Sequence, residues 1–294
     1  MSASTSSKPL AEAVLNRKPR DSEIDCYGLT HQGKVRKTNN DHFLLASLHK
    51  RTDVVMTSLP GLADANQHDE RVAFLAMVAD GVGGSETGEE ASRITLETVT
   101  DFLSASLQAY YGTDDKEDAL QRALQEAANR SHEHVLRRAK ERADSRVRAT
   151  TLTLFVGVWP WTYILQVGDS RHYVFRDGQL TQHTRDQTFA QDLVDAGALT
   201  DAQAAGSRLK HVLSSAIGGD QTLPVVTRFP SDWRNSYVIC SDGLTKHVTD
   251  DQIRAHLSAM TSSKQACEAL LQDALDAGGT DNITIIVGRT VPEE

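Results

Sequence analysis

Apolar and polar positions alternate along this chain in blocks of two kinds. Short, mostly apolar runs rich in β-branched residues occur at 72–79, 151–158, 163–167, 237–240 and 283–287, and each predicts a buried strand. The second and third of these flank Trp159-Pro160-Trp161, the pattern of a hairpin. A shorter run at 43–46 predicts another strand. The intervals between them have helical spacing. The stretch 89–107 places Ile94, Leu96, Val99, Phe102 and Leu103 toward one side and has acids in its first turn, which favours a helix start. The stretch 116–142 is long and rich in Ala, Leu, Glu and Arg. Thr249-x-x-Gln252 has capping-box spacing and predicts a helix through His256. A helix at 263–277 would end against Gly278-Gly279. Hairpins interleaved with helix pairs predict an α+β layered fold rather than regular βαβ winding.

Residues 1–21 are rich in Ser, Lys and Pro without sustained periodicity; they read as a mobile N-terminal tail with a helical turn near 11–15. No linker divides the remainder, so residues 22–294 are expected to form one domain. The chain has 294 residues, 39% hydrophobic and 24% charged, a mix that supports a real core. Forty acidic against 31 basic residues leave −9, the wrong sign for a general nucleic-acid or membrane-surface binder. No apolar run approaches the roughly 20 residues of a membrane helix. No apolar signal segment follows the opening MSASTSS, so a cytoplasmic location is expected. Cys26, Cys240 and Cys267 are too few and too scattered for a disulfide framework or a zinc site.

The acids have a pattern of their own. Asp80, Asp169 and Asp242 each close an apolar run and Asp281 opens one, with a glycine within two residues of each. Strand ends can gather acids that are distant in sequence on one rim, where they repel unless a cation neutralises them. Hard divalent cations suit such oxygen donors. Any single Asp-Gly pair reads equally well as a turn. Arg36 lies in Gly33-Lys34-Val35-Arg36-Lys37-Thr38-Asn39-Asn40-Asp41. A guanidinium beside a carboxylate–metal cluster can clamp phosphate with its fork, although an Arg in a basic turn is by itself an ordinary surface residue.

Two other hydrolytic chemistries fail on spacing. A cysteine phosphatase needs Arg six residues after its thiol, and those positions hold Gln32, Lys246 and Asp273. A serine hydrolase built on Gly168-Asp169-Ser170 needs a separate Asp-x-x-His, yet the spacing found is Asp169 to His172, overlapping the nucleophile itself. No Gly-x-Ser-x-Gly elbow is present either.

With these motifs in order, the chain resembles the metal-dependent protein phosphatases of the 2C type, the PPM family, in its compact bacterial branch. The resemblance rests on Arg36-x-x-Asn39-Asn40-Asp41, on Val78-Ala79-Asp80-Gly81-Val82-Gly83-Gly84 with Gly88-Glu89-x-Ala91-Ser92, and on Ala149-Thr150-Thr151. It continues through Val167-Gly168-Asp169-Ser170-Arg171, Ala216-Ile217-Gly218-Gly219-Asp220, Ile239-Cys240-Ser241-Asp242-Gly243-Leu244 and Gly279-Thr280-Asp281-Asn282-Ile283-Thr284. It implies a four-layer αββα sandwich, two central antiparallel β-sheets flanked by helix pairs, with a flap at about 186–219. It also implies a serine/threonine protein phosphatase that hydrolyses phosphoserine and phosphothreonine with a metal-activated water. The implied cofactors are two Mn²⁺ or Mg²⁺ ions, with a third, weaker site. By motif matching Asp80 bridges both ions, Gly81 offers its carbonyl, Asp242 and Asp281 hold the first ion, and Asp41 supports the second. Asp169 with Asp242 forms the third site, and Arg36 binds substrate phosphate. The implied partners are phosphorylated proteins, targets of a serine/threonine kinase, with no nucleic acid and no membrane, and the chain is expected to be a monomer. Asn40, Ser85 and Ala149 depart from the usual residues of the family, and Asn40 and Ser85 motivate an alternative: a catalytically weak regulatory module that binds phosphoproteins.

Overall fold

The computed structural model describes residues 16–51, 70–82, 86–110, 116–141 and 148–293. The strands in chain order are β1 Ile24–His31, β2 His42–Lys50, β3 Glu70–Ala79, β4 Gly81–Val82, β5 Ala149–Thr150, β6 Leu152–Val158 and β7 Trp161–Val167. They continue with β8 Arg171–Arg176, β9 Gln179–Gln182, β10 Val225–Pro230, β11 Ser236–Cys240 and β12 Ile283–Thr290. One sheet runs β1-β12-β11-β8-β9 and the other β10-β7-β6-β3-β2, with β4 and β5 as a short separate ladder. All the pairings are antiparallel.

The sheets pack face to face through Ala76 and Val78 on one side and Ile239 and Ile286 on the other, with Phe43, Phe74 and Phe155 around them. Helices α1 Glu86–Tyr110 and α2 Lys116–Glu141 cover the outer face of the second sheet. There Leu75, Met77, Leu154 and Leu165 bury against Val99, Leu103 and Leu124. After the flap helices α3 Phe189–Asp195 and α4 Asp201–Gly206 comes a single turn, α5 Asp242–Thr245. Helices α6 Asp250–Ala259 and α7 Ser263–Asp276 then cover the first sheet, packing Ile253, Leu257 and Leu270 onto Val238, Ile285 and Val287. This is the expected four-layer α+β sandwich. Strand β3 has two covered faces, so its apolar run is nearly continuous rather than alternating.

Local signals explain several element ends. Thr249 caps α6, accepting from the N–H of Gln252, whose side chain bonds back to Thr249 in a full capping box. Thr200 caps the second flap helix in the same manner, and Thr188 caps the first through its side chain alone, accepting from the N–H of Gln191. Past α7, Gly278 and Gly279 take φ of 124° and 52°, the left-handed region that glycine tolerates. Asp242, read from sequence as a strand terminator, is the first residue of α5.

Residues 16–21, grouped by composition with the tail, are tied to the sandwich. Arg17 pairs with the buried carboxylate of Glu23, and Trp233 Nε1 donates to the Arg17 carbonyl at 2.8 Å. The turn expected near 11–15, most of the connection at 49–71, Ser85, Arg142 and Arg146 lie outside the described residues. His132 and His134 serve separate partners: His132 Nδ1 accepts from Gly218 N, while His134 Nδ1 meets the Thr98 hydroxyl.

Candidate active site

The aspartates singled out by their strand-end positions come together at one end of the sandwich. Asp41 precedes β2 and Asp80 follows β3, and the two strands pair through His42 and Ala79. Asp169 follows β7, Asp242 follows β11, and Asp281 stands two residues before β12. An open cleft of about 1000 Å³ is lined by Arg36, Asp80, Gly81, Asp169, Asp242 and Asp281, with flap residues on its far side. Asp41 lies beneath it, 2% exposed.

Backbone approach explains the glycines. A Cβ on Gly243 would stand 1.8 Å from the Asn282 carbonyl, and one on Gly81 would stand 2.4 Å from the Gly88 carbonyl. Each glycine thus lets an aspartate-bearing loop press against its neighbour. Asp80 is fixed through its main chain: its N–H donates to Thr151 Oγ1, and its carbonyl accepts from Thr151 N and Thr150 Oγ1. Asn282 ties the Arg36 loop to the Asp281 loop. Its Nδ2 donates to the carbonyls of Gln32 and Thr38, and its Oδ1 accepts from Asn40 N.

The electrostatics are those of crowded acids. Burial, then the charges of Asp41, Asp242, Asp169 and Asp281, push Asp80 well above the usual carboxylate range. Burial and the Asp242 charge raise Asp169, and burial raises Asp41 although Thr284 Oγ1 donates to its Oδ2 at 2.7 Å. For Asp281, burial works upward but is outweighed by Arg36 and Lys246, which hold it low. Asp41 Oδ1 and Asp242 Oδ1 are buried and accept no hydrogen bond among the described residues.

Orphaned carboxylate oxygens in an acid cluster fit a hard divalent cation, which oxygen donors suit. As the side chains stand, no group of three His, Cys, Asp or Glu among the described residues is arranged to hold an ion. Cations of the chain take part of that role. Arg36 Nε is 2.7 Å from Asp281 Oδ1, and Lys246 Nζ is 2.6 Å from Asp242 Oδ2 and 2.7 Å from Asp281 Oδ2.

Lys246 is the member that sequence reasoning missed. Its signal was present: it stands four residues after Asp242, one helical turn away. Arg171, two residues after Asp169, has a role that the motif around it does not show. It binds Asp186 through Nε and Nη2, which fixes the start of the flap beside Asp169. His211 and His247 also line the cleft, and His247 Nε2 accepts from Thr280 N at 2.9 Å. Nothing in their local sequence marked either one. The three thiols are unsuited to nucleophilic attack, since burial pushes Cys26 and Cys240 up to about 12 and Cys267 higher than its ordinary value. A second cavity of about 110 Å³ lies between the sheets, lined by Phe74, Phe155 and Trp233. It is mostly apolar and gathers no acid cluster.

The family model described as Protein phosphatase 2C matches residues 62–277. Among curated proteins, the chain is 31% identical over 233 residues to the serine/threonine protein phosphatase PstP of Mycobacterium tuberculosis, covering 79% of this chain. It spans 43% of the length of that relative. It is 27% identical over 214 residues to the serine/threonine phosphatase stp of Listeria welshimeri, covering 72% of this chain and 83% of that protein. Among solved structures, Mycobacterium tuberculosis PstP/Ppp superposes with a TM-score of 0.72 at 26% identity, over 92% of this chain and 99% of that one. The PstP catalytic domain in complex with two manganese ions gives 0.70 at 26% identity, with the same coverage.

Proposed function

The chain belongs to the protein phosphatase 2C family, and on that premise we propose that it hydrolyses phosphoserine and phosphothreonine in proteins with the help of two Mn²⁺ or Mg²⁺ ions. The observation that carries this reading is the gathering of aspartates from separate strand ends around one cleft, with two buried carboxylate oxygens that have no partner among the described residues. Asp80 would be shared by both ions, with the Gly81 carbonyl beside it. Asp242 and Asp281 would serve the first ion, and Asp41 the second. Asp169 with Asp242 would form a third, weaker site. Bound there, the ions would supply a water acidic enough to attack phosphorus and positive charge for the phosphoryl oxygens.

The chain's own residues do the rest. Arg36, on the cleft wall, binds phosphate oxygens through its fork and orients the ester. The cleft is open to solvent along the flap, so a phosphorylated side chain can enter while its polypeptide stays outside. Thr284, Thr151 and Asn282 hold the aspartate loops in place, so that charge is met by groups already positioned. The substrates are phosphorylated proteins acted on by serine/threonine kinases, and the chain works as a monomer. Among the described residues no helix is long and apolar enough to cross a membrane.

The test is turnover of a phosphothreonine peptide by protein stripped of metal with a chelator, then supplied with Mn²⁺ or Mg²⁺. Activity absent without metal and restored by it supports the proposal. Equal turnover with and without chelator refutes it.

A further inference from the structure

Lys246 stands where the proposed metal centre is most crowded with charge. It follows the single turn of α5, its backbone N–H bonding to the Asp242 carbonyl at 2.9 Å. That places its side chain over the carboxylate four residues back. The ammonium lies 2.6 Å from Asp242 Oδ2 and 2.7 Å from Asp281 Oδ2, and the side chain is 25% exposed. One cation therefore joins the two carboxylates that the functional reading gives to the first ion. Arg36 holds the same Asp281 from another side.

We infer that Lys246 is a tethered counter-cation of the metal centre, which holds Asp242 and Asp281 together when no divalent ion is bound and withdraws when one binds. This rests on the metal-centre reading above and goes beyond it by assigning a competitor within the chain. The two contacts occupy one oxygen of each carboxylate at hydrogen-bond distance, so a divalent ion seated between Asp242 and Asp281 would have the ammonium pressed against the same two carboxylates. Without the ammonium, two neighbouring acids would face each other in a partly buried site and repel. With a divalent ion in place, the ammonium becomes a like charge close to a stronger one. A lysine suits this exchange: its charge is compact and strongly hydrated, and its four-carbon stem can swing toward the open cleft. An arginine, with its rigid fork, would be harder to displace.

A lysine that merely braces α5 predicts the opposite sign for metal binding. Removing a brace loosens Asp242 and weakens the site. Removing a competitor tightens it.

The experiment uses the full chain stripped of metal, with Mn²⁺ binding followed by calorimetry and thermal unfolding followed with and without Mn²⁺. Lys246→Met keeps the stem and removes the charge. It should bind Mn²⁺ about tenfold more tightly than the wild type. Its metal-free form should melt lower, so Mn²⁺ should raise its melting temperature by more. Lys246→Gln, which retains hydrogen-bond donors, provides the same comparison should the Met variant fold poorly without metal. Unchanged or weaker Mn²⁺ affinity in the variants overturns the inference. Asp80→Asn separates this from the underlying reading. If the wild type binds Mn²⁺ and Asp80→Asn does not, the metal centre stands and Lys246 is judged by its own variants. If the wild type binds no Mn²⁺, the metal centre and the role of Lys246 fall together.

Discussion

Arg36 and Asp281 meet through two contacts, Nε to Oδ1 at 2.7 Å and Nη2 to Oδ2 at 2.9 Å. A residue proposed to bind substrate phosphate is thus pre-aimed by a residue proposed to bind metal. The pair joins the loop before β2 to the loop before β12, so substrate binding and metal binding share one support. Arg36→Lys keeps the charge and loses the fork. It should lower kcat/KM on a phosphothreonine peptide by about a hundredfold, while calorimetric Mn²⁺ affinity stays within a few-fold of the wild type. A loss of metal binding as large as the loss of turnover would show that Arg36 acts on the metal site and not on the phosphate.

The Thr284 hydroxyl donates to Asp41 Oδ2, and Asp41 Oδ1 already lacks a partner. Thr284→Val leaves a buried carboxylate without that donor, which should cost about 1–3 kcal/mol in urea unfolding of the metal-free protein. Added Mn²⁺ should recover part of that loss, because the ion offers Asp41 a new partner. Identical losses with and without Mn²⁺ would place Asp41 outside the metal centre.

Gly243 fits because no Cβ fits there. A methyl group at that position would sit 1.8 Å from the Asn282 carbonyl and force apart the loops that carry Asp242 and Asp281. Gly243→Ala should destabilise the protein by about 2 kcal/mol or more and weaken Mn²⁺ binding. Calorimetry and thermal unfolding on one preparation check both.

Much of this site is legible in the sequence, and the legible part shares a cause. Buried strands write unbroken apolar runs, and their ends are marked by Asp and Gly, so β3, β7, β11 and β12 announce both themselves and their acids. Strands with partly exposed faces write mixed patterns, so β1 and β8 were not read as strands. The edge strand β10, Val225–Pro230, has no buried residue and only two half-buried ones, and it carries no sustained apolar run. Lys246 is only half legible: its spacing from Asp242 stands in the sequence, whereas its contact with Asp281, 35 residues away, is one that a helix-turn spacing cannot show. Arg17 and Lys18 lie in the stretch that composition groups with the tail, and their partners, Glu23 and the Arg71 carbonyl, are supplied by the fold.

His172 makes the fold sensitive to acid. It is fully buried among Phe155, His183, Phe229 and Tyr237, and neither ring nitrogen has a hydrogen-bond partner among the described residues. Burial, with a smaller contribution from His183, pushes its pKa down from 6.5 to about 3. The folded state therefore keeps the ring neutral where the unfolded chain would protonate it. Its contribution to stability is complete above about pH 6.5 and is lost as pH falls from there toward 3. Urea midpoints at pH 7, 5 and 4 should fall more steeply for the wild type than for His172→Phe. Parallel slopes would mean that His172 titrates as freely in the folded protein as in the unfolded one.

Asp80 sits at the middle of the acid cluster, pressed by the charges of the other aspartates and proposed to be shared by both ions. The most direct test is Mn²⁺-supported turnover of a phosphothreonine peptide by Asp80→Asn beside the wild type, with circular dichroism confirming that both are folded. Turnover should fall at least about a thousandfold, with calorimetric Mn²⁺ binding weakened in step. Turnover retained within a few-fold by a folded Asp80→Asn protein would contradict the role proposed for Asp80.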